Sequence, residues 1–462
     1  MNIRKEFVLF FIAFLVDIIK GQYTPPLATV VPIHPKGIRI SIPDEEGITL
    51  VAFHVKINED FNGLEAGTIA RDIVKARNGL WTYEDKQTQL HKSDIVYYWI
   101  HVVYKGLGYN LLDQQYVVNE FYNFDGTPVN VTPTDNPSCV LSDTRIKMET
   151  GELRQACSGE LIFDEQFENI QTWRWHVNER FSGAPDYEFV VYTKDSDNVQ
   201  LKNGILKIQP TLMQEKYNAQ FVRHGHLVLE NCTEVVGSEY CHRQARGSSI
   251  LPPVLSGRLD TKMTFNFIYG RIEIRAKLPR GDWIYPLLTL DPLNPLNGEL
   301  NPPQMRIAYS SGNQELRMVD GTDVGGRLLG AGGIDALGVG AKRWQYMAKK
   351  YSQHFWSNEY HTYELEWRQD RIIVKVDGTQ YGNKVRQTSS PFDKPYYLTI
   401  GVAVGGYGEF ADNSTSNGYR KPWRNIASKA LFNFFTATNL WHETWKEDST
   451  ALEIDYIKIW AL

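Results

Sequence analysis

The sequence predicts an all-β protein built from two folded domains. Apolar and polar residues alternate with a period of two in short runs, for example at Ile38, Ile40 and Ile42 and again in residues 269–279. This period is typical of strands that bury one face against a core. A polar, proline-rich stretch at 125–138 separates two such regions. With 462 residues the chain is long enough for each domain to have its own core.

Residues 1–21 have the order of a secretory signal peptide. Arg4 and Lys5 precede an apolar run from Phe7 to Val16, which is too short to span a bilayer. Charged residues near the expected cleavage point leave a membrane anchor as the alternative. No later apolar segment is long enough to cross a membrane, so we expect a secreted protein without a membrane span.

Cysteine use and charge narrow the functional classes. Four cysteines fit an oxidising compartment, and of the three possible pairings, nearness in sequence favours Cys139 with Cys157 and Cys232 with Cys241. We predict no metal site, because no Cys-x-x-Cys occurs, and we also predict no cofactor. A net charge of −5 without a basic run argues against nucleic acid. Predicted N-glycosylation sites are Asn130, Asn231 and Asn413.

Residues 22–125 are predicted to form a small β domain. Alternating runs at 38–42 and 51–57 flank a turn at 43–47, and a third strand pattern covers Ile95 to Tyr104. Short strands with turn signals at this spacing predict an immunoglobulin-like sandwich.

Three motifs in this domain occur in order, at residues 78–85, 93–104 and 108–110. Together they closely resemble carbohydrate-binding module family 39, the amino-terminal β-1,3-glucan-binding domain of invertebrate glucan recognition proteins. The resemblance spans nearly the whole domain and implies glucan binding.

Trp81 and Tyr83 stand two residues apart, hence on one face of a strand. If exposed, the pair could stack on glucose rings while Asp44, Glu84 or Lys92 hydrogen-bonds the sugar hydroxyls. The alternative is that Trp81 packs in the core, the common fate of a strand aromatic.

Residues 126–160 are predicted to be a Pro/Thr-rich linker whose second half is bracketed by Cys139 and Cys157. Such a tether would let two sites engage one polymer and raise avidity.

Residues 161–462 contain a series of strand motifs, among them 161–167, 267–283, 360–367 and 451–460. These resemble the β-1,3-glucanases of glycoside hydrolase family 16. The resemblance implies a β-jelly-roll, concanavalin-like sandwich with a glucan cleft. Trp283 and Tyr285 match family positions that line the sugar subsites, with core packing as the alternative for both.

The Glu-x-Asp-x-x-Glu signature of that family is missing. Its three carboxylate positions align with Gln304, Arg306 and Tyr309, which a β-bulge would bring to one strand face. A retaining glycosidase needs two carboxyl groups about 5 Å apart, so we predict no catalytic residues and a non-hydrolytic domain. The alternative is an endo-β-1,3-glucanase with displaced carboxylates such as Glu299 and Glu273.

Both resemblances together point to the invertebrate β-1,3-glucan recognition, or Gram-negative-bacteria-binding, protein family. They imply a haemolymph pattern-recognition protein that binds microbial β-1,3-glucan such as laminarin, curdlan or fungal wall. Lipopolysaccharide or lipoteichoic acid are further ligands implied by the family, and so is a downstream serine protease leading to melanisation or Toll signalling. Nothing in the residues themselves indicates the protease.

Overall fold

A computed structural model describes residues 23–34, 36–90, 94–124, 126–127, 139–148, 151–170, 174–294, 302–334, 341–385 and 391–462. The chain divides into two compact units between Pro137 and Ser138. The predicted signal peptide, Lys92, Asn130 and Glu299 lie outside the described residues. Within the described ranges, no helix is long and apolar enough to span a membrane.

The first unit is a sandwich of two antiparallel sheets. Its strands are β1 (Thr29–Pro32), β2 (Ile38–Pro43), β3 (Ile48–Ile57), β4 (Ile69–Ile73), β5 (Leu80–Asp85), β6 (Ile95–Tyr104) and β7 (Leu107–Val117). One sheet has the order β1-β2-β5 and the other β4-β3-β6-β7. Ile40, Val51 and Val102 are fully buried between them. The all-β sandwich predicted for this region is therefore confirmed.

The second unit contains two large sheets and several small ones. Its strands are β8 (Leu141–Lys147), β9 (Leu153–Cys157), β10 (Leu161–Glu165), β11 (His176–Val177), β12 (Arg180–Phe181), β13 (Val190–Tyr192), β14 (Val199–Lys202), β15 (Ile205–Ile208), β16 (Thr211–Leu212), β17 (His226–Val228), β18 (His242–Gln244), β19 (Val254–Ser256), β20 (Arg258–Asp260), β21 (Phe267–Ile268), β22 (Gly270–Lys277), β23 (Ile284–Pro292), β24 (Gln304–Tyr309), β25 (Leu316–Arg317), β26 (Leu328–Ile334), β27 (Ala348–Tyr351), β28 (His361–Trp367), β29 (Arg371–Val376), β30 (Thr379–Val385), β31 (Tyr396–Val404), β32 (Thr415–Ser416), β33 (Tyr419–Arg420) and β34 (Leu452–Trp460). Short helices cover Met213–Lys216, Ala219–His224, Ala341–Tyr346, Ala430–Thr436 and Thr438–Trp441, with 3-10 turns at His442–Thr444 and Glu447–Thr450.

The large sheets enclose one core. The first has the order β14-β15-β34-β22-β28-β29-β30, with β10 also on β34, and the second β27-β26-β24-β23-β31-β21-β8-β9. On β22 the predicted alternation holds, since Ile272, Ile274 and Ala276 are fully buried and the residues between them are partly exposed. On β24, Met305 and Ile307 face the same core. The fold class predicted for this region, an all-β sandwich, is confirmed.

The linker is shorter than the sequence indicates. β8 and β9 pair with each other, and β8 pairs with β21, so these strands belong to the second unit. The inward positions of β8 carry Ser142 and Thr144, small polar residues that hide the apolar period. Both predicted disulfides are present, with Cα–Cα distances of 5.2 Å for Cys139–Cys157 and 5.4 Å for Cys232–Cys241.

Candidate functional site

The aligned positions on β24 share one face, as the sequence predicts. Arg306 Nε donates a hydrogen bond to Gln304 Oε1 at 3.2 Å, and the Arg306 guanidinium lies 4.6 Å from the centroid of the Tyr309 ring. The pairing of β24 with β26 shifts register between Arg306 and Tyr309, as a bulge there requires. The three side chains therefore meet at one place, although none of them is a carboxylate.

Arg306 belongs to a buried ion cluster formed by Asp186, Arg306, Arg343 and Glu409. Arg306 binds Glu409 through two parallel hydrogen bonds of 3.1 and 2.8 Å, a geometry that favours strong pairing. Arg343 donates to Glu409 at 2.8 Å and also to Asp186. The two arginines and Glu409 are at most 4% exposed.

The electrostatics of Glu409 follow from these contacts. Burial by itself raises the pKa of this carboxyl, because the charged form loses water. Arg306 and Arg343 outweigh that effect and lower the pKa to about 2. Glu409 is therefore ionised at neutral pH and engaged by two guanidinium groups.

Glycine makes room for this cluster. A Cβ at Gly408 would lie 1.9 Å from Asp186 Oδ1 and 2.4 Å from Arg343 Nη2, distances that no side chain tolerates. The chain after β31 consequently passes close over the pair and delivers Glu409 to Arg306.

Glu188 is a further carboxyl residue, outside the buried ion cluster but next to its member Asp186. Burial and the neighbouring Asp186 raise its pKa, the direction found in general acids. Its oxygens accept hydrogen bonds from the hydroxyl groups of Ser182 and Tyr192. Burial, and after it the charge of Glu188, raises the pKa of the Tyr285 phenol.

The expectation that Trp283 and Tyr285 line a sugar surface needs correction. They are 0% and 1% exposed, and Trp283 Nε1 donates to Tyr419 Oη at 3.0 Å. Trp283 packs edge-on against Phe410 and Trp423 at centroid distances of 5.1 and 5.0 Å. Both rings are core residues here, which is the alternative that the sequence left open.

The same correction applies to the aromatic pair of the first unit. Trp81 and Tyr83 are 3% and 6% exposed, because β5 turns both side chains towards the core. Trp81 Nε1 donates to Asp44 Oδ1 at 2.7 Å, and the Tyr83 ring lies 6.3 Å from that of Phe53. The rings do not form an exposed stacking platform.

Two of the polar residues predicted beside this pair are exposed. Asp44 lies in the turn after β2, where the Trp81 indole holds its carboxylate. Glu84 points outward from β5 and pairs with Arg39 at 2.9 Å. Asp44 therefore keeps acceptor capacity for a ligand, whereas Glu84 is already engaged.

Glu273, one of the two carboxylates considered for a displaced glucanase site, does not lie beside β24. Glu273 is on β22, in the sheet opposite to β24, and its partly exposed side chain accepts a hydrogen bond of 3.0 Å from Tyr456 Oη. Glu273 therefore does not meet Gln304, Arg306 or Tyr309.

Metal and glycan sites add little to the chemistry. Among the described residues no group of three or more His, Cys, Asp or Glu side chains could hold a metal ion. Asn231 and Asn413 are exposed, so their predicted glycosylation is sterically possible and stays a prediction.

Sequence reasoning missed Asp186, Arg343 and Glu409. Their contacts join residues separated by 103, 66 and 157 positions, and no local motif marks them. The one available signal was Arg306 itself, because a cation at a buried strand position requires a carboxylate partner.

Two family models and a solved structure match parts of this chain. The model for carbohydrate-binding module 39, described as a carbohydrate binding domain (family 32), matches residues 24–138. The model described as glycosyl hydrolases family 16 matches residues 337–425. The laminarinase catalytic domain of Thermotoga maritima is 20% identical, covering 66% of this chain and 99% of that domain, with a TM-score of 0.41. The two family models identify a carbohydrate-binding domain joined to a domain of the family 16 class.

Relatives that match nearly the full length of this chain define its family more narrowly than the two domain models do. The beta-1,3-glucan-binding protein of Tenebrio molitor is 37% identical over 98% of this chain and 99% of its own length. Gram-negative bacteria-binding protein 3 of Drosophila melanogaster is 34% identical, covering 95% of each chain. The chain belongs to this family of β-1,3-glucan-binding and Gram-negative bacteria-binding proteins.

Proposed function

We propose that this chain is an extracellular recognition protein that binds β-1,3-glucan of microbial surfaces without cleaving it. Its likeness to a protein named for glucan binding extends over 98% of the chain. The order of charged and apolar residues in 1–21 supports secretion. Lipopolysaccharide or lipoteichoic acid as further ligands, and a downstream serine protease, are the parts of the proposal that rest on family resemblance.

The contact between Arg306 and Glu409 is the observation that supports the absence of hydrolysis. A retaining glycosidase needs a free carboxylate to attack and a second carboxyl to protonate the leaving group. Gln304 does not ionise, and Arg306 is a permanent cation. Glu409, with a pKa of about 2, holds no proton to donate at neutral pH, and its two oxygens are occupied by guanidinium groups.

Glu188 is the carboxyl that best fits the glucanase alternative, since its pKa is raised. A hydrolase would also need a nucleophile beside it. The neighbouring carboxylate, Asp186, is bound by Arg343. The pKa of Glu188 is therefore shifted in the direction of a general acid, but the neighbouring Asp186 is not a free carboxylate.

Glucan binding is proposed for the exposed surface around Asp44 in the first unit. A carboxylate accepts hydrogen bonds from sugar hydroxyls, and the bond from Trp81 Nε1 fixes its orientation at 2.7 Å. Trp81 is thus a positioning residue rather than a stacking platform.

The test is a curdlan pull-down run beside a laminarin hydrolysis assay, both on the full chain. We expect sedimentation with curdlan and no release of reducing ends above buffer. Asp44→Asn should weaken retention about tenfold, the loss of one charge-assisted hydrogen bond. The control Asp72→Asn changes an exposed carboxylate on β4, in the other sheet, and should bind like the wild type. Hydrolysis that Glu188→Gln abolishes would refute the non-catalytic assignment.

A further inference from the structure

The outer face of the first large sheet carries a cavity of about 370 Å³ at one end of β34, β22 and β28. This volume lies within the range of small-molecule sites, about 300 to 1,000 Å³. Trp460, Arg271 and Glu366 line the cavity side by side, because the register pairs Arg271 with both of the others. Arg368, which follows β28, and the turn at 158–159 between β9 and β10 also line it. The cavity therefore brings polar side chains from several strands to one place.

Arg271 is the cation in this cavity that has unused hydrogen-bonding capacity. Its guanidinium carbon lies 4.2 Å from the centroid of the Trp460 ring, a distance at which the ring attracts the charge. The carboxylate paired with it, Glu364, is 3.7 Å from Nη1, too far for a hydrogen bond, and is held by Lys375 at 2.5 Å. No described residue accepts a hydrogen bond from Arg271, whose side chain is 38% exposed. Its N–H groups are therefore open to a ligand.

The cavity also offers neutral donors and an acceptor. Trp460 is partly exposed, and its indole N–H has no acceptor among the described residues. Ser158 is exposed and carries a hydroxyl group. Glu366 Oε1 accepts a hydrogen bond from Arg368, whereas Glu366 Oε2 is 3.9 Å from Lys375 Nζ, too far for one. One oxygen of this carboxylate therefore has capacity to accept a hydrogen bond from a hydroxyl group.

We propose that this cavity binds a sugar acid, a hexuronate, whose carboxylate pairs with Arg271 and whose hydroxyl groups bond to Ser158, Trp460 and Glu366. A carboxylate has one negative charge and the planar shape that matches a single guanidinium fork. A phosphate group has a charge nearer to two and calls for a second cation, but Arg368 is already bound to Glu366.

The neutral hydrogen-bonding groups favour a sugar over an acidic peptide. A hexuronate presents several hydroxyl groups close to its carboxylate, whereas an aspartate or glutamate side chain presents none. The ligand class also differs from the glucan proposed for the Asp44 surface, because β-1,3-glucan has no carboxylate. The site is therefore a function of the second unit beyond the proposed recognition of glucan.

Isothermal titration of the full chain with glucuronate, glucose, glucose 6-phosphate and N-acetyl-aspartate tests the ligand class. We expect saturable binding of glucuronate at one site per chain. Glucose lacks the charge, glucose 6-phosphate has a tetrahedral group and N-acetyl-aspartate lacks the hydroxyl groups, so each should bind at least about tenfold more weakly. A comparison ligand that binds as tightly as glucuronate would show that a sugar acid is the wrong class.

Variants of Arg271 and Trp460 test the residues. Arg271→Gln should weaken glucuronate binding about tenfold, the loss of one charge-assisted interaction. Arg271→Lys keeps the charge but not the planar fork, so it should also weaken binding, and it serves as the test if Arg271→Gln does not fold. Trp460→Phe keeps a ring but removes the indole N–H, and a loss of about fivefold is expected.

The matched control is Arg275→Gln. Arg275 lies on the same strand and the same sheet face as Arg271, and its side chain is 41% exposed, but it is bound to Asp455 and does not line the cavity. Its variant should bind glucuronate like the wild type. The proposal is overturned if the wild type gives no saturable glucuronate signal, or if the Arg271 variants bind glucuronate as tightly as Arg275→Gln.

Discussion

Replacing Glu409 with glutamine removes the shared negative charge of the buried ion cluster. The pKa of Glu409 is lowered from 4.5 to about 2, and each pKa unit corresponds to about 1.4 kcal/mol, which gives roughly 3 kcal/mol of stabilisation at neutral pH. Removing one partner of a buried ion pair costs about 3–5 kcal/mol, in the same range. Glu409→Gln would leave Arg306 without its carboxylate partner and Arg343 with Asp186 alone, so we expect a loss of about 4 kcal/mol in the free energy of unfolding.

Calorimetry at pH 7 measures this loss in the second unit. Roughly 300 ordered residues imply an unfolding entropy near 0.6 kcal/mol/K, so about 4 kcal/mol lowers Tm by about 6 °C. The difference between wild type and variant depends on pH in a defined direction. The pKa of Glu409 is lower in the folded state than in the unfolded chain. Its stabilisation of the fold is therefore complete above pH 4.5, the unfolded pKa, and is lost as pH falls towards 2.

The control Glu315→Gln removes a partly exposed carboxylate from its pair with Arg317 and should change stability by less than about 1 kcal/mol. Two results would refute the reasoning. One is a Glu409→Gln protein as stable as the control at pH 7. The other is a stability deficit that stays constant between pH 5 and pH 3, because ionisation of Glu409 would then not be its cause.

Three further outcomes are expected. Trp81→Phe keeps a buried ring but removes the donor to Asp44, so it should cost about 1 kcal/mol in urea unfolding and weaken curdlan retention; unchanged retention would contradict the positioning role. Gln304→Glu combined with Tyr309→Glu should release no reducing ends from laminarin, because the Arg306 cation still lies between the new carboxylates; measurable hydrolysis would show that the missing carboxylates alone prevent it. Burial lowers the pKa of Lys421 from 10.5 to about 8. As pH rises, the folded state therefore loses this proton before the unfolded chain does, and the free energy of unfolding should rise between pH 8 and 10.5. Lys421→Met should lack that rise when Tm is compared at pH 7.5 and 9.5.

The strand patterns of the first unit were readable because one face of each strand is apolar. The run from Ile95 to Tyr104 is β6 as predicted, and the alternation at 38–42 lies on β2. β7 was missed because most of its residues are exposed and the alternation of Leu107, Tyr109 and Leu111 stops at the polar residues 113–115. Periodicity also placed Trp81 and Tyr83 on a common face, but it does not say which face meets the core. That choice depends on the opposite sheet, which the local sequence does not contain.

The site of the second unit was also predictable only where it depends on residues that are neighbours in sequence. Local sequence gave the common face of Gln304, Arg306 and Tyr309, because strand period and bulge depend only on neighbouring residues. The partner carboxylate was not predictable, since Glu409 is 103 positions away and reaches Arg306 through the fold.

The buried ion cluster supports the proposal that this strand face does not hydrolyse glycosides, in addition to the lack of two carboxylates. Hydrolysis requires one unpaired anion and one proton that leaves near neutral pH. Here the anion at the face, Glu409, is neutralised by Arg306 and Arg343. Its pKa is about 2, so it holds no proton to donate near neutral pH. A carboxylate introduced beside it would be drawn to the same guanidinium groups, so its pKa would fall and its oxygens would be occupied. On the proposal of a non-hydrolytic domain, Gln304, Arg306 and Tyr309 belong to a structural ion cluster, and we expect that a single substitution does not make this face hydrolytic.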